Sequence, residues 1–348
     1  MAIVESKKTF LKADDSLGTF INEKANELFL SLNNFKPASI ESDTYNDYFI
    51  HHHLGSRLFF SIQNSAHILY ESIKLSGKTI DSISAIDYGA GLGTLFMLGG
   101  MMGFKRFDYN DYLPEWKSTA IQVCDFAGIH INDYVIGDIN AVCSFAKTNN
   151  IQYDLVLSRN VIEHIYSLPE FYSLVYELNP KAIVYSTTTA NYHNPLMRLY
   201  HIYIHTKTEK KYYYQQRVDE IKKLYPSLSS SITKNIALLS RGKGLNDFKD
   251  AVKGMVNGTT LRRDKTLRTN VCDCVTGVWC EHLLTRKEYE AIINKAGFKM
   301  KYTAGYCDTH YSAGYKNFVA LIFNRLIGVL GKSKGILFSP FVNVAAYN

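Results

Sequence analysis

The sequence predicts an α/β fold built around a mostly parallel sheet, and three observations support this class. From residue 83 onward, short apolar runs alternate with segments of helical spacing, a pattern typical of parallel strands joined by crossover helices. The first run, 83–86, ends in Asp87 and a turn with glycines at 89, 91 and 93. The chain has 348 residues, 46% of them hydrophobic, which suffices for one large domain with additions.

Residues 1–78 lack strand alternation and carry apolar residues at helical spacing, for example at 20–21, 25 and 28–30. We expect two or more helices in this range, which together form an N-terminal helical cap. Between them, residues 45–53 are rich in aromatic side chains and histidine. Two interpretations of this segment stay open: a packed or solvated helix end, and a wall of the substrate pocket.

The range 79–190 contains the alternating core. The glycine turn leads into an apolar helix at 95–102. Four more strands are predicted at 104–111, 134–139, 153–158 and 182–187, with helices at 114–126, 141–147 and 169–178. Ligands of such sheets bind at the carboxyl ends of the strands. We therefore expect the acidic residues that follow four of these strands to share one edge: Asp87, Asp111, Asp138 and Glu163.

Residues 191–270 interrupt the alternation, and we expect them to form an inserted, mostly helical lid after the fifth strand. This is the most basic part of the chain, and its basic residues are interleaved with tyrosines. Its charge has three alternative explanations: solvated helix faces, a basic wall for an anionic substrate, or contact with nucleic acid.

The range 271–348 is predicted to complete the core. A helix at 285–297 has Thr285 as its N-cap and Glu288 as the capping-box partner. Strands are predicted at 299–306 and 341–347. An amphipathic segment at 318–330 is more typical of a helix packed on the core than of a membrane anchor.

A glycine-rich turn is a weak signal by itself, but here four segments occur in a specific order. They are Asp87-Tyr-Gly89-Ala-Gly91-Leu-Gly93, an acid at the end of the second strand (Asp111, with Asp108 as the alternative), Asp138-Ile139, and YDLVLSRNVIEHI with its Asn160-x-x-Glu163-His164 pattern. In this order they resemble the class I S-adenosylmethionine-dependent methyltransferases. The resemblance covers residues 83–190 and the C-terminal part of the chain.

The resemblance implies a Rossmann-like, seven-stranded, mostly parallel sheet with flanking helices, and S-adenosylmethionine as the cofactor. It places Asp111 against the ribose hydroxyls and Asp138 with Ile139 against the adenine. The other cofactor-binding residues that it implies are Asp87, Gly89, Gly91, Gly93 and Asn160. The chemistry agrees, because this cofactor has no phosphate and its sulfonium is cationic. A dinucleotide enzyme would prefer the spacing G-x-G-x-x-G, with the third glycine one residue later.

Methyl transfer is an in-line displacement, and a hydroxyl acceptor also benefits from a base within hydrogen-bond reach. The candidate bases are His164, just after the fourth strand, and His282, just before a C-terminal helix. A structural hydrogen-bonding role is the alternative for each of them. Glu163 could orient a neighbour or contact the cofactor, and His193 is a weaker candidate.

Six cysteines in a chain of this length do not form a disulfide framework, and most are expected to be small buried residues. The run Cys272-x-Cys274-x5-Cys280-x-His282 has the residue types of a zinc site, but its spacing matches no common ligand motif. No metal ligands are therefore assigned, and a magnesium-assisted transfer is left open.

The formal net charge of +7 permits nucleic acid or an anionic substrate without demanding either. None of the seven prolines is followed by Pro or Cys. The chain thus lacks the Asn/Asp-Pro-Pro-aromatic run of base-amino methyltransferases and the Pro-Cys nucleophile of cytosine-C5 enzymes, which disfavours a nucleic-acid methylase. No signal peptide and no apolar run of about 18 residues is found, so we expect a cytoplasmic protein without a membrane span.

Together these observations predict a methyltransferase that uses S-adenosylmethionine to O-methylate a sugar or a sugar-containing small molecule, for example in surface polysaccharide synthesis. The expected partner is a small-molecule or glycan acceptor, which could be anionic, and a homodimer is one expectation for the assembly. The alternatives are N-methylation of a natural product or a protein, and a nucleic-acid-binding relative of the fold.

Overall fold

A computed structural model describes residues 8–35, 49–259, 270–278 and 280–348. Its main feature is a seven-stranded sheet, whose strands are β1 (Ser84–Tyr88), β2 (Arg106–Asp111), β3 (Tyr134–Ile136), β4 (Leu155–Arg159), β5 (Ile183–Thr188), β8 (Lys299–Ala304) and β9 (Val342–Tyr347). Two short strands, β6 (Val271–Cys272) and β7 (Cys280–Glu281), form a separate two-stranded ladder. The strand order is β3-β2-β1-β4-β5-β9-β8. Neighbours from β3 to β5 are parallel, whereas β9 is antiparallel to both β5 and β8. The predicted fold class is confirmed.

Helices cover both faces of this sheet. In chain order they are α1 (Ser16–Asn33), α2 (Ile50–His53), α3 (Leu58–Ser76), α4 (Thr94–Gly100), α5 (Pro114–Ala127), α6 (Ile139–Thr148), α7 (Leu168–Leu178), α8 (Pro195–Thr208), α9 (Tyr214–Leu224), α10 (Ser230–Leu239), α11 (Leu245–Val256), α12 (Arg286–Lys295) and α13 (Gly314–Lys334). Alternate strand residues point to opposite faces. Ala85 accordingly joins a core with α1, α3, α4 and α5, and Ile86 joins one with α6, α7 and α12.

The N-terminal helices belong to the first of these cores. Asp15 caps α1 by accepting a hydrogen bond from the backbone N–H of Gly18 at 2.8 Å. Its other carboxylate oxygen accepts from the Tyr70 hydroxyl and the Lys74 ammonium of α3, each at 3.0 Å. The cap of α1 therefore also ties α1 to α3. Residues 45–48 of the predicted aromatic segment lie outside the described residues. The proposed divisions at 78/79, 190/191 and 270/271 stay predictions.

The third strand ends earlier than predicted. The sequence predicts a strand over 134–139, but β3 ends at Ile136, and Gly137 has a positive φ of 126°. The carboxylate of Asp138 then accepts hydrogen bonds from the N–H groups of Asn140 and Ala141, at 3.0 and 3.2 Å. Because Asp138 is the N-cap, α6 begins at Ile139 instead of residue 141.

The predicted insertion after β5 is helical, with α8 to α11 in its described part. These helices have a small core of their own, which includes Ile221, Ile236 and Phe248. The guanidinium of Arg217 is fully buried; it pairs with Glu209 and donates to the carbonyl oxygen of Ala237 at 2.9 Å. Buried charge is tolerated here because it is paired and hydrogen-bonded.

Helix α13 differs from its prediction. It spans the amphipathic segment 318–330, but Ala320 and Ile327 are its buried residues, and its exposed side chains include Phe318 and Val329, at 66% and 79% exposure. The interpretation of this segment as a helix packed on the core is therefore wrong for most of its apolar residues. None of the helices in the described ranges combines the length and apolar composition that crossing a bilayer requires.

Candidate active site

The turn after β1 depends on glycine at two positions. Gly89 and Gly91 have φ angles of 68° and 52°, in the left-handed region that disfavours residues with a Cβ. At Gly89 there is also no room, since an added Cβ would lie 2.6 Å from Cγ1 of Val161. The backbone of β1 and the segment after β4 thus approach each other closely at this turn.

The backbone N–H groups of this turn already have acceptors inside the protein. Ala90 donates to the carbonyl oxygen of Asn110 at 2.8 Å, and Gly93 donates to that of Ala90 at 2.9 Å. Gly91 donates to Oδ2 of Asp111 at 2.9 Å, and Gly89 makes a longer contact of 3.4 Å with Oδ1 of Asn110. A phosphate bound in such a turn would need these groups as its donors.

A pocket of about 210 Å³ opens beside the turn, at the point where the strand order reverses between β1 and β4. Its lining contains one acidic side chain, Asp87, and two basic ones, Arg57 and Arg159. Its lining residues are His52, His53, Arg57, Asp87, Gly89, Ala90, Gly91, Gly93, Leu95, Arg159 and Asn160. The lining therefore includes five of the predicted site residues: Asp87, the glycines at 89, 91 and 93, and Asn160.

Asp87 is an ionisable residue that is almost completely buried, with 2% of its surface exposed to solvent. Burial raises the pKa of Asp87 well above its ordinary value, and the negative charge of Asp111 acts in the same direction. The backbone N–H of Phe96 and the charge of Arg159 oppose this shift. A cation placed in the pocket would stabilise the ionised carboxylate.

Arg159 is a pocket residue that the sequence reasoning did not assign, whereas His53 belongs to the segment 45–53, for which a pocket wall was one of the two interpretations. Arg159 donates to the hydroxyl and the backbone carbonyl oxygen of Ser61, at 2.7 and 3.2 Å. The same hydroxyl lies 3.0 Å from Nδ1 of His53 and 3.0 Å from the Thr94 hydroxyl. Burial lowers the pKa of His53 well below its ordinary value, and the charge of Arg159 lowers it further. A charged residue that directly ends a buried strand was the available signal for Arg159.

The other predicted cofactor residues lie at the same sheet edge but not in the pocket lining. Asp111 is linked to the turn through Gly91, and its Oδ1 accepts from the N–H of Leu113 at 2.9 Å. Burial raises the pKa of Asp111, whereas these backbone hydrogen bonds lower it. Asp138 caps α6 and is exposed, and Ile139 is buried beside it. The alternative, Asp108, is bound to Arg106 and to the Tyr153 hydroxyl.

His164 is held in one tautomer by a residue of β7. Its Nδ1 lies 2.8 Å from the carbonyl oxygen of Cys280, which can only accept, so Nδ1 carries a proton, and in the neutral ring Nε2 carries the lone pair. The preceding residue, Glu163, is 3% exposed, and its Oε2 has no hydrogen-bond partner among the described residues. Burial raises the pKa of Glu163, which the charge of His164 partly offsets.

His282 uses both ring nitrogens within the protein. Nε2 donates to the carbonyl oxygen of Ile165 at 2.9 Å, and Nδ1 accepts from the amide of Asn270 at 3.2 Å. Its backbone N–H also donates to the carbonyl oxygen of Glu163 at 2.7 Å. This arrangement matches the structural alternative that the sequence left open. His193 likewise accepts from the N–H of Arg286 at the start of α12, at 3.0 Å.

Among the described residues, the cysteines of the sequence segment considered for zinc binding do not form a ligand cluster with His282. The short β6–β7 ladder places Cys272 opposite Cys280, and their sulfur atoms are 2.7 Å apart. Both nitrogens of His282 are engaged elsewhere, as described above. Within the described ranges, the group that could hold a metal ion is a different one: His201, His205 and Glu281.

No family model and no curated protein matches the sequence. The chain is similar to solved structures described as S-adenosylmethionine-dependent methyltransferases. One from Clostridium acetobutylicum is 11% identical, with a TM-score of 0.45, over 88% of this chain and 99% of that one. One from Archaeoglobus fulgidus is 14% identical, with a TM-score of 0.40, over 88% and 100%. One from Mesorhizobium loti is 11% identical, with a TM-score of 0.40, over 81% and 98%.

Proposed function

We propose that this protein transfers a methyl group from S-adenosylmethionine to a hydroxyl group of a small-molecule acceptor. The observation that carries the proposal is the glycine turn, whose N–H groups at residues 89, 90, 91 and 93 are already bound inside the protein. A turn at the switch point of a parallel sheet is a nucleotide-binding position. Because its donors are occupied, this one suits a nucleoside cofactor without phosphate.

The charges of the pocket support the same cofactor. The methionine end of S-adenosylmethionine carries an ammonium and a carboxylate, and its sulfonium is a further cation. Asp87 offers a carboxylate to a cation, whereas Arg57 and Arg159 suit the cofactor's carboxylate. A pyrophosphate would meet Asp87 as a like charge. Asp111 is the proposed partner of the ribose hydroxyls, and Asp138 with Ile139 is proposed to face the adenine.

His164 is the proposed general base for the acceptor. S-adenosylmethionine would supply a methyl group activated by its sulfonium; transfer of this group to the acceptor oxygen would break the carbon–sulfur bond and leave a neutral thioether. The hydroxyl proton then passes to the lone pair on Nε2 of His164, which the hydrogen bond from Nδ1 to Cys280 leaves available. We propose that His282 positions Glu163 and the adjacent His164 through its hydrogen bond to the Glu163 carbonyl.

Calorimetric titration with S-adenosylhomocysteine tests the cofactor half of the proposal. We expect binding by the wild type and by Asp81→Asn, which changes an exposed aspartate near the other end of β1. We expect Asp87→Asn to bind at least about tenfold more weakly, since it loses a charge-assisted contact worth about 1.5–3 kcal/mol. Binding of NAD⁺ in preference to S-adenosylhomocysteine would overturn the proposal.

Incubation with isotopically labelled S-adenosylmethionine and cell extracts tests the acceptor half. A labelled methyl ether in a product would support O-methylation, and a product that is a sugar derivative would support the sugar acceptor predicted from the sequence. A label found solely on nitrogen would overturn O-methylation in favour of the N-methyltransferase alternative.

A further inference from the structure

A second group of polar side chains lies at the same edge of the sheet as the cofactor pocket. His201 and His205 are four residues apart on α8, so they share one face of that helix. Glu281 of β7 meets them, and one ligand atom from each of the three lies within 4.8 Å of the other two. Nε2 of His205, which is 1% exposed, lies 2.6 Å from Oε2 of Glu281.

Hydrogen bonds to backbone carbonyls orient two imidazoles here, that of His201 within the group and that of His164 beside it. Nε2 of His201 lies 2.9 Å from the carbonyl oxygen of Thr189, just after β5, so Nε2 carries the proton and Nδ1 keeps a lone pair. His164, which lies close enough to lower the pKa of both His201 and Glu281, is fixed in the same way by the carbonyl oxygen of Cys280. An imidazole that donates from one nitrogen to a carbonyl and offers the other is the usual state of a metal ligand.

A buried carboxylate provides a second, independent observation. Glu163 is 3% exposed, its Oε2 has no hydrogen-bond partner among the described residues, and its charge interacts with those of His164 and Glu281. A buried carboxylate oxygen without a partner is costly. A cation held beside it would supply the missing interaction.

We propose that His201, His205 and Glu281 bind a divalent transition-metal ion. Two imidazoles and one carboxylate are a ligand set for Zn²⁺, Fe²⁺ or Co²⁺, whereas Mg²⁺ and Ca²⁺ prefer oxygen ligands. Three protein ligands leave coordination positions open, so the ion can also bind an oxygen of the acceptor and lower the pKa of its hydroxyl. This role in catalysis rests on the proposed methyl transfer, whereas the binding of the ion does not.

The test is a titration of the chelator-treated full-length protein with Co²⁺, followed by visible absorption. We expect one equivalent to bind, to be displaced by Zn²⁺, and to give no thiolate charge-transfer band. His201→Ala and Glu281→Gln should each weaken the binding by about 100-fold or more. The matched control is His130→Ala, which removes an exposed histidine before β3 and should leave it unchanged.

A thiolate band would assign the ion to Cys272 and Cys280 and overturn the proposal. So would binding that Glu281→Gln does not weaken, or no binding at all. Circular dichroism and titration with S-adenosylhomocysteine on the same variants show whether they are folded. The two proposals fail separately: cofactor binding without Co²⁺ binding removes the metal site, and Co²⁺ binding without cofactor binding removes the methyltransferase.

Discussion

Replacing Gly89 by alanine perturbs the glycine turn after β1, and the size of the effect on stability can be worked out from the structure. The backbone at Gly89 has φ 68°, and a left-handed conformation costs a residue with a Cβ about 1–2 kcal/mol. The new Cβ would also lie 2.6 and 2.8 Å from the two γ-carbons of Val161. Overpacking of this kind costs about 1–3 kcal/mol. We therefore expect Gly89→Ala to lower the free energy of unfolding by about 2–5 kcal/mol.

Gly77 provides the matched control, because it has nearly the same φ, 64°, and no atom within 4 Å of an added Cβ. Gly77→Ala should therefore cost the conformational part alone, about 1–2 kcal/mol. The assay is urea-induced unfolding, with the slope of the transition checked for each variant. The difference between the two alanine variants isolates the clash with Val161.

A third variant tests the cause of that difference. In a Val161→Ala background the two γ-carbons are gone, so Gly89→Ala should lose the overpacking cost and retain the conformational one. We expect a coupling of about 1–3 kcal/mol between the two substitutions. An equal loss of stability at Gly89 and Gly77, or a coupling near zero, would refute the reasoning.

Three further predictions concern charge, catalysis and capping. The affinity for S-adenosylmethionine should rise with pH as Asp87 ionises, and Asp87→Asn should remove this pH dependence. Calorimetric titrations of both proteins at several pH values measure the two affinities. Because the pKa of Asp87 is raised in the folded state, ionisation of Asp87 destabilises the fold, and stability is lost as the pH rises through the raised pKa. The unliganded Asp87→Asn variant should therefore resist urea better than the wild type at alkaline pH. His164→Gln should lower kcat by about 10²- to 10⁴-fold and leave the affinity for S-adenosylhomocysteine unchanged, and an unaltered kcat would exclude His164 as the base. Thr285→Ala, which breaks the capping box with Glu288, should cost about 1 kcal/mol in urea unfolding, and a loss near zero would contradict the cap.

The parts of the fold that follow from short-range sequence patterns were predictable. Apolar runs identify the strands, and the capping box at Thr285 marks the start of α12. The glycine turn and Asp87 were found because both lie within one strand–turn–helix unit. The end of β3 was not predicted correctly. After Ile136 the chain could either continue as a strand or begin a helix capped by Asp138, and the spacing of apolar residues does not decide between these two outcomes.

The rest of the site combines residues from distant parts of the chain. The pocket takes His53 and Arg57 from the N-terminal helical region and Arg159 from β4, and these meet because α3 packs on the sheet. The spacing of His201 and His205 is visible in the sequence, but their partner Glu281 lies beyond the inserted helices. Periodicity shows which face of an element is buried, and it does not show which distant segment covers that face.

The position of β9 has a consequence for the order of folding. β9 lies between β5 and β8, so that Ala345 is opposite Tyr185 on one side and Lys301 on the other, and β8 joins the described sheet through β9. Strands β1 to β5 follow one another closely in the chain, whereas the inserted helices separate β5 from β9. Contacts between distant segments form slowly, because the loop between them must close first. We therefore expect the parallel half of the sheet to form first, and the closing of the antiparallel half to limit the rate at which the whole sheet is completed.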